Sequence, residues 1–215
     1  IGLILFTADR GLAGAYNQNM LRKTVDFIKT QPAPCKLITV GRRGRDLARR
    51  LGYEIVADFS GIGDRPQLGQ ISALARGATD EYLEHRDDRV YVGFTDFINV
   101  LRQVPTIRQI LPIPAADRTH EGPEAIYLYE PSAEQILAEV LPRFVQVQIY
   151  QALLEATASE HAARMVAMRN ATDNANELID SLTLLRNKVR QTAITKEMLD
   201  IAGGAEAQRQ SLAGK

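Results

Sequence analysis

From Ser132 to Ala202 the sequence keeps one helical pattern without a glycine and with a single proline, Pro142. At about 1.5 Å per residue, a helix over that stretch extends roughly 105 Å, several times the width of a small domain. It is therefore no ordinary core helix, and everything upstream reads as a platform for it. Pro131 followed by Ser132, Ala133, Glu134 and Gln135 reads as a capping box, in which hydroxyl and amide each satisfy a backbone N–H that the first turn leaves unpaired. Gly203 and Gly204 predict its end.

Between these signals an apolar stripe recurs at alternating steps of three and four: Val147, Leu154, Ala158, Met165, Met168, Ala175, Ile179, Leu182, Val189 and Ala193. This is the spacing of a coiled-coil seam rather than of a face turned to a globular core. Gln151, His161, Thr172 and Arg186 interrupt it, and its alanines require a close-lying partner. A stripe of this length stays exposed unless another helix covers it, and no upstream segment of the chain is long enough to do so.

The long helix takes about a third of the 215 residues, which leaves one domain of moderate size before it. Lys plus Arg and Asp plus Glu each total 26, so no global field recruits nucleic acid or anionic lipid. Cys35 is the only cysteine, which excludes an intramolecular disulfide or a cysteine-rich metal site and fits a reducing compartment. No apolar run reaches the ~18 residues of a membrane span, and no signal peptide is evident. The chain opens at Ile1 inside a strand-like run, which predicts residues before it.

Upstream, Ile1 to Thr7 reads as a strand and Asp9 to Gly14 as a turn, after which Asn17 caps a helix running through Lys29. Lys36 to Val40 predicts a second strand, Arg42 to Leu51 an arginine-rich helix and Glu54 to Ala57 a third strand. Gln67 to His85 reads as a helix, Arg89 to Phe94 as a buried strand, and Gln103 to Ile113 as an edge strand with Pro105 near its start. Tyr127 to Tyr129 adds a last short strand. Strands alternating with helices predict an α/β, Rossmann-like domain: a largely parallel sheet with helices on both faces.

Chemistry is sparse in this pattern. Gly11 and Gly14 form only G-x-x-G, neither a dinucleotide fingerprint nor a Walker loop, so a tight turn is favoured over a nucleotide site and no cofactor is expected. His85, His120 and His161 show no metal-ligand spacing, and Asp173, Glu177 and Asp180 share a helical face without a pocket. No catalytic or metal-binding residue is therefore assigned. The cluster Arg42, Arg43, Arg45, Arg49 and Arg50 fits a solvated face or a protein contact better than nucleic acid, since no aromatics accompany it. Near the far end of the helix, Arg186, Lys188, Arg190, Gln191, Thr195 and Glu197 form a second polar cluster, with Arg186 and Arg190 stacked four apart and Lys188 turned away. Cations placed near a helix C-terminus account for part of it.

Three stretches together resemble the gamma subunit family of the F-type ATP synthases. They are Thr7-Ala8-Asp9-Arg10-Gly11-Leu12-Ala13-Gly14-Ala15-Tyr16-Asn17, Tyr127-Leu128-Tyr129-Glu130-Pro131, and the run from Ala158-Ser159-Glu160-His161-Ala162-Ala163-Arg164-Met165 through Ala171-Thr172-Asp173-Asn174-Ala175 to Arg190-Gln191-Thr192-Ala193-Ile194-Thr195. The resemblance implies a rotor. Residues 1–130 are then an α/β foot, 131–205 a coiled-coil shaft and 206–215 a tail. An N-terminal helix of the same subunit, absent from this sequence, pairs antiparallel with the shaft and covers the seam.

The resemblance further implies partners: a hexamer ring of alpha and beta subunits around the shaft, an epsilon subunit, and the membrane-embedded c ring of a proton-translocating synthase. The protein is then a non-catalytic, peripheral component, on the cytoplasmic side of a bacterial plasma membrane or its matrix or stromal equivalent. Arg186, Lys188, Arg190, Gln191, Thr195 and Glu197 fall to the beta contact. Tyr127, Tyr129 and Glu130, with Arg42, Arg43 and Arg45, fall to epsilon or the c ring. With Cys35 alone, a chloroplast-type thiol switch is not available. A nucleotide-binding α/β enzyme and a generic coiled-coil tether stay open as other readings of the same residues.

Overall fold

Gly2–Phe6 carries no polar side chain, and a strand apolar on both faces belongs in the middle of a sheet covered on each side. In the computed structural model, which describes residues 1–62, 68–113 and 132–213, it is the central strand β1, buried throughout. The elements that follow are α1 (Tyr16–Thr30), β2 (Lys36–Val40), α2 (Arg42–Leu51), β3 (Glu54–Phe59), α3 (Leu68–Leu83), β4 (Val90–Phe97), β5 (Gln103–Leu111) and α4 (Ala133–Ala213). The chain divides into two compact units, Ile1–Ala167 and Met168–Lys215, and α4 contributes to both.

The strands lie in the order β3-β2-β1-β4-β5. β1 runs parallel to β2, with Gly2 opposite Lys36 and Phe6 opposite Val40, and parallel to β4, with Leu5 opposite Gly93. β5 returns antiparallel along β4, placing Pro105 opposite Thr95 on an edge strand, where a missing N–H costs least. Alternation along β1 separates the two faces. Ile4 and Phe6 pack with α3 and with residues 145–156 of α4, while Leu3 joins Leu37, Ala48 of α2 and Phe27 and Ile28 of α1. The expected sheet with helices on both faces is thus the observed one.

Two glycines bound α2. Gly41 has φ +96, and a Cβ there would collide with the Thr7 carbonyl, so the strand-to-helix turn requires glycine. Gly52, at φ +74, closes the helix: its N–H reaches Ala48 O and Arg49 O, while Tyr53 N–H also reaches Ala48 O at 2.9 Å.

Several expectations shift. Asn17 does not cap α1, which starts at Tyr16; its Oδ1 accepts the Ala8 N–H at 2.9 Å and so fixes the preceding loop. Ser132 caps α4 as expected, its Oγ accepting the Gln135 N–H at 3.2 Å. The helix does not stop at Gly203 and Gly204 but continues to Ala213, so residues 206–213 of the stretch read as a tail are helical. Each glycine costs only about 1 kcal/mol relative to alanine, and Ala205, Glu206, Ala207, Gln208 and Arg209 are good helix formers. Tyr127 to Tyr129 lies outside the described residues.

Candidate functional site

Parallel α/β sheets bind ligands in the crevice beyond the carboxyl ends of the strands, where strand order reverses. Here the reversal lies between β1 and β4, and α4 itself fills the crevice. The Ser159 Oγ, fully buried, donates to Thr95 O at the end of β4 at 2.9 Å. The Tyr16 hydroxyl, from the first turn of α1, donates to Ala156 O at 3.0 Å. Tyr16 also packs with Ala8, Ala13 and Ala163, closing the helix start where a phosphate group would sit. Burial, reinforced by the charge of Glu160, pushes the Tyr16 phenol far up, so it stays a donor.

Beside the crevice remains a cavity of about 190 Å³, whose lining includes Asp9 and Glu160. That is below the usual range of small-molecule sites, roughly 300–1,000 Å³, and the lining carboxylates are matched by Arg10 and Arg42. Asp9 is already engaged: Oδ1 accepts Arg42 N–H at 3.0 Å and Oδ2 accepts Gly61 N–H at 2.9 Å. The glycine turn itself, with Leu12 at φ +66 and Gly14 at φ +54, lines a separate open cavity of about 620 Å³ together with Arg22, Arg43 and Arg50. Among the described residues no group of three or more His, Cys, Asp and Glu side chains is placed to hold a metal ion. Among them, too, no helix is long and apolar enough to cross a membrane.

α4 carries two apolar stripes in its first part. Val145, Ile149, Ala152, Leu153 and Ala156 are buried against the sheet. At about 3.6 residues per turn, Val147, Leu154 and Met165 fall on the opposite side, and all three are exposed. The seam thus exists as a stripe separate from the one that builds the core. In Met168–Lys215, Ile179, Leu182 and Val189 continue it, each more than half exposed.

The polar cluster on that part of α4 is exposed as well: Arg186, Lys188, Arg190, Gln191, Thr195 and Glu197. Within the chain, none of these side chains hydrogen-bonds or ion-pairs with another described residue, so their charge is available to something outside it. The α2 arginines divide. Arg42 lies 3.7 Å from Asp9, and Arg45 reaches Asp46 at 3.0 Å and Asp58 at 3.4 Å, whereas Arg43, Arg49 and Arg50 make no ion pair with described residues. Tyr127, Tyr129 and Glu130 lie outside the described residues.

Sequence reasoning passed over Tyr16, Ser159 and Thr95, along with the 2.7 Å Gln146–Ser72 hydrogen bond that ties α4 to α3. One signal was present: Ser159 continues the spacing of Val145, Ile149, Ala152 and Ala156.

A Rossmann-like domain whose crevice is plugged by its own helix, and whose helix then displays an uncovered apolar seam and unpaired cations, defines a component built for an assembly. The family profile described as ATP synthase matches residues 1–208. The chain is 48% identical over 206 residues to the ATP synthase gamma chain of Moorella thermoacetica, covering 96% of this chain and 72% of that one. It is 48% identical over 212 residues to the gamma chain of a Roseiflexus species, with the same coverage. A chain of the Tetrahymena thermophila mitochondrial ATP synthase central stalk and c-ring structure superposes with a TM-score of 0.64 at 25% identity, covering 80% of this chain and 75% of that one. A chain of the Euglena gracilis mitochondrial ATP synthase shares the fold with a TM-score of 0.70 at 20% identity, covering 97% and 72%. The chain belongs to the ATP synthase gamma chain family.

Proposed function

We propose that the chain is the central-stalk rotor subunit of an F-type ATP synthase, non-catalytic in itself, which couples rotation of a membrane c ring to conformational change in catalytic beta subunits. The observation that carries this reading is α4: one helix anchored to the sheet on one stripe and presenting a seam and free cations elsewhere. The seam takes a second helix of the same subunit, antiparallel to α4, and the 131–205 stretch turns inside an alpha and beta hexamer. Residues 1–130 are the foot that meets epsilon and the c ring, through Arg42, Arg43 and Arg45 on α2 together with Tyr127, Tyr129 and Glu130.

Arg186, Lys188, Arg190, Gln191, Thr195 and Glu197 make the beta contact, where charge-assisted hydrogen bonds transmit sideways force. An asymmetric shaft biases each beta subunit only by contacting its competing conformations unequally. With the ion pathway belonging to the c ring, this subunit is peripheral to the membrane, on the cytoplasmic side in a bacterium. Mixing the intact subunit with alpha and beta restores rotation-linked ATP hydrolysis on this reading. Failure of the three to co-assemble overturns it.

A further inference from the structure

Apolar packing alone would leave α4 able to roll on the sheet. Val145, Ile149, Ala152, Leu153 and Ala156 hold it there, but apolar contact has no preferred direction, and alanines offer little to interlock. Resistance to turning about the helix axis has to come from bonds that are directional. Gln146 to Ser72, at 2.7 Å, joins the tips of two side chains and gives way by a change of rotamer. Tyr16 and Ser159 are placed differently.

Tyr16 reaches from the first turn of α1 to the main chain of α4, its hydroxyl donating to Ala156 O at 3.0 Å. Ser159 reaches from α4 to the main chain of the sheet, its Oγ donating to Thr95 O at 2.9 Å. Hydroxyls on a helix often turn back onto their own helix, as Thr157 does to Leu153 O at 2.8 Å and Thr172 to Met168 O at 3.0 Å. Ser159 gives its only proton to β4 instead. Both bonds end on backbone carbonyls, which no rotamer change can move, and both are closed to water, Tyr16 being 6% exposed and Ser159 0%. Residues 156 and 159, three apart, lie on neighbouring turns of one helix face. Rolling α4 therefore breaks both bonds and leaves two buried hydroxyls without a partner.

We propose that Tyr16 and Ser159 form a torsional lock: a pair of positioning residues that stops α4 rolling on the sheet, so that turning of the foot becomes turning of the shaft. Tyr16 is fitted to a bond kept under load. It packs against Ala8, Ala13 and Ala163, and Met20, one turn further along α1, is fully buried, so the ring has no room to swing aside. The use of the lock rests on the central-stalk reading, whereas the lock itself rests on packing within Ile1–Ala167.

Its test is angular fluctuation in the assembled rotor. Alpha and beta subunits are fixed to a surface, the full chain is mounted in them, and a bead is attached at Glu54→Cys, exposed on the edge strand β3, in a Cys35→Ser background. With nucleotide withheld, Tyr16→Phe combined with Ser159→Ala widens the angular variance of the bead about twofold, as expected when bonds of similar net strength are lost from one joint. Each single substitution widens it less. Leu37→Val, in the core cluster on the other face of the sheet, lowers Tm and leaves the variance at the wild-type value. Wild-type variance in the double variant, or equal widening in Leu37→Val, overturns the lock and leaves the rotor reading standing. Should the double variant not fold, Tyr16→Phe, which removes a single oxygen, carries the same comparison. Should the wild-type chain not join alpha and beta, the rotor reading fails and the lock is decided on the chain alone. Nitroxides at Glu54→Cys and at Leu154→Cys, exposed on α4, then give a distance distribution that broadens in the double variant, and an unchanged distribution overturns the lock.

Discussion

At the scale of single residues, Gly41 and Arg190 represent opposite kinds of constraint. Gly41 is demanded by backbone: φ +96 and a Thr7 carbonyl in the way of any Cβ leave no relaxed place for alanine. Gly41→Ala therefore costs at least about 2 kcal/mol, the scale of a strained φ combined with a clash. The denaturant midpoint of unfolding falls accordingly, and an unchanged midpoint would show that the turn rearranges freely. Arg190 and Gln191 are exposed, with no side-chain partner among the described residues, so the fold does not depend on them. Replacing both by alanine leaves Tm within the range of ordinary surface substitutions, about ±0.5 kcal/mol. It weakens coupling between hydrolysis and rotation in the assembled enzyme. Wild-type coupling in that double variant removes these residues from force transmission.

At the scale of elements, α4 shows why some of the molecule could be read from residues and some not. β1 was legible as an unbroken apolar run, and β2 and α2 because they end at Gly41 and Gly52, where the backbone itself needs glycine. The seam was legible because it continues for many turns. The core stripe of Val145, Ile149 and Ala156 was not, because the same turns carry two apolar faces and a periodicity search follows the longer one. Tyr16 and Ala156 are 140 residues apart, and no local pattern announces such a pair.

Exposure along 168–213 also sets what a helix change does there. Ala175 makes no core contact in this unit, so Ala175→Gly costs only the intrinsic preference, about 1 kcal/mol. Amide protection around residues 171–179 falls roughly fivefold, and single-molecule torsion of the assembled rotor softens. A rotor with unchanged protection and compliance would show that neighbours, not the helix itself, supply the stiffness.

At the scale of the whole molecule, the question is whether the seam is surplus or is the reason for α4. Ile179 and Leu182 lie more than half exposed in Met168–Lys215 and touch none of the sheet's core clusters. Replacing both by aspartate therefore leaves the unfolding of Ile1–Ala167 where it was. If a second helix seals this stripe, the same pair of substitutions buries two carboxylates with no donor opposite them. The penalty is several kcal/mol, more than most specific contacts return. The double variant then fails to join alpha and beta subunits in native mass spectrometry, although circular dichroism of its sheet unit is normal. A generic tether behaves differently, because its seam serves self-association: the wild type would sediment as a dimer on its own, and the substitutions would abolish that dimer while leaving any alpha and beta contact unaffected. Assembly at wild-type yield with both aspartates in place would mean that nothing closes over this stripe, and the shaft reading of α4 would lose its physical ground.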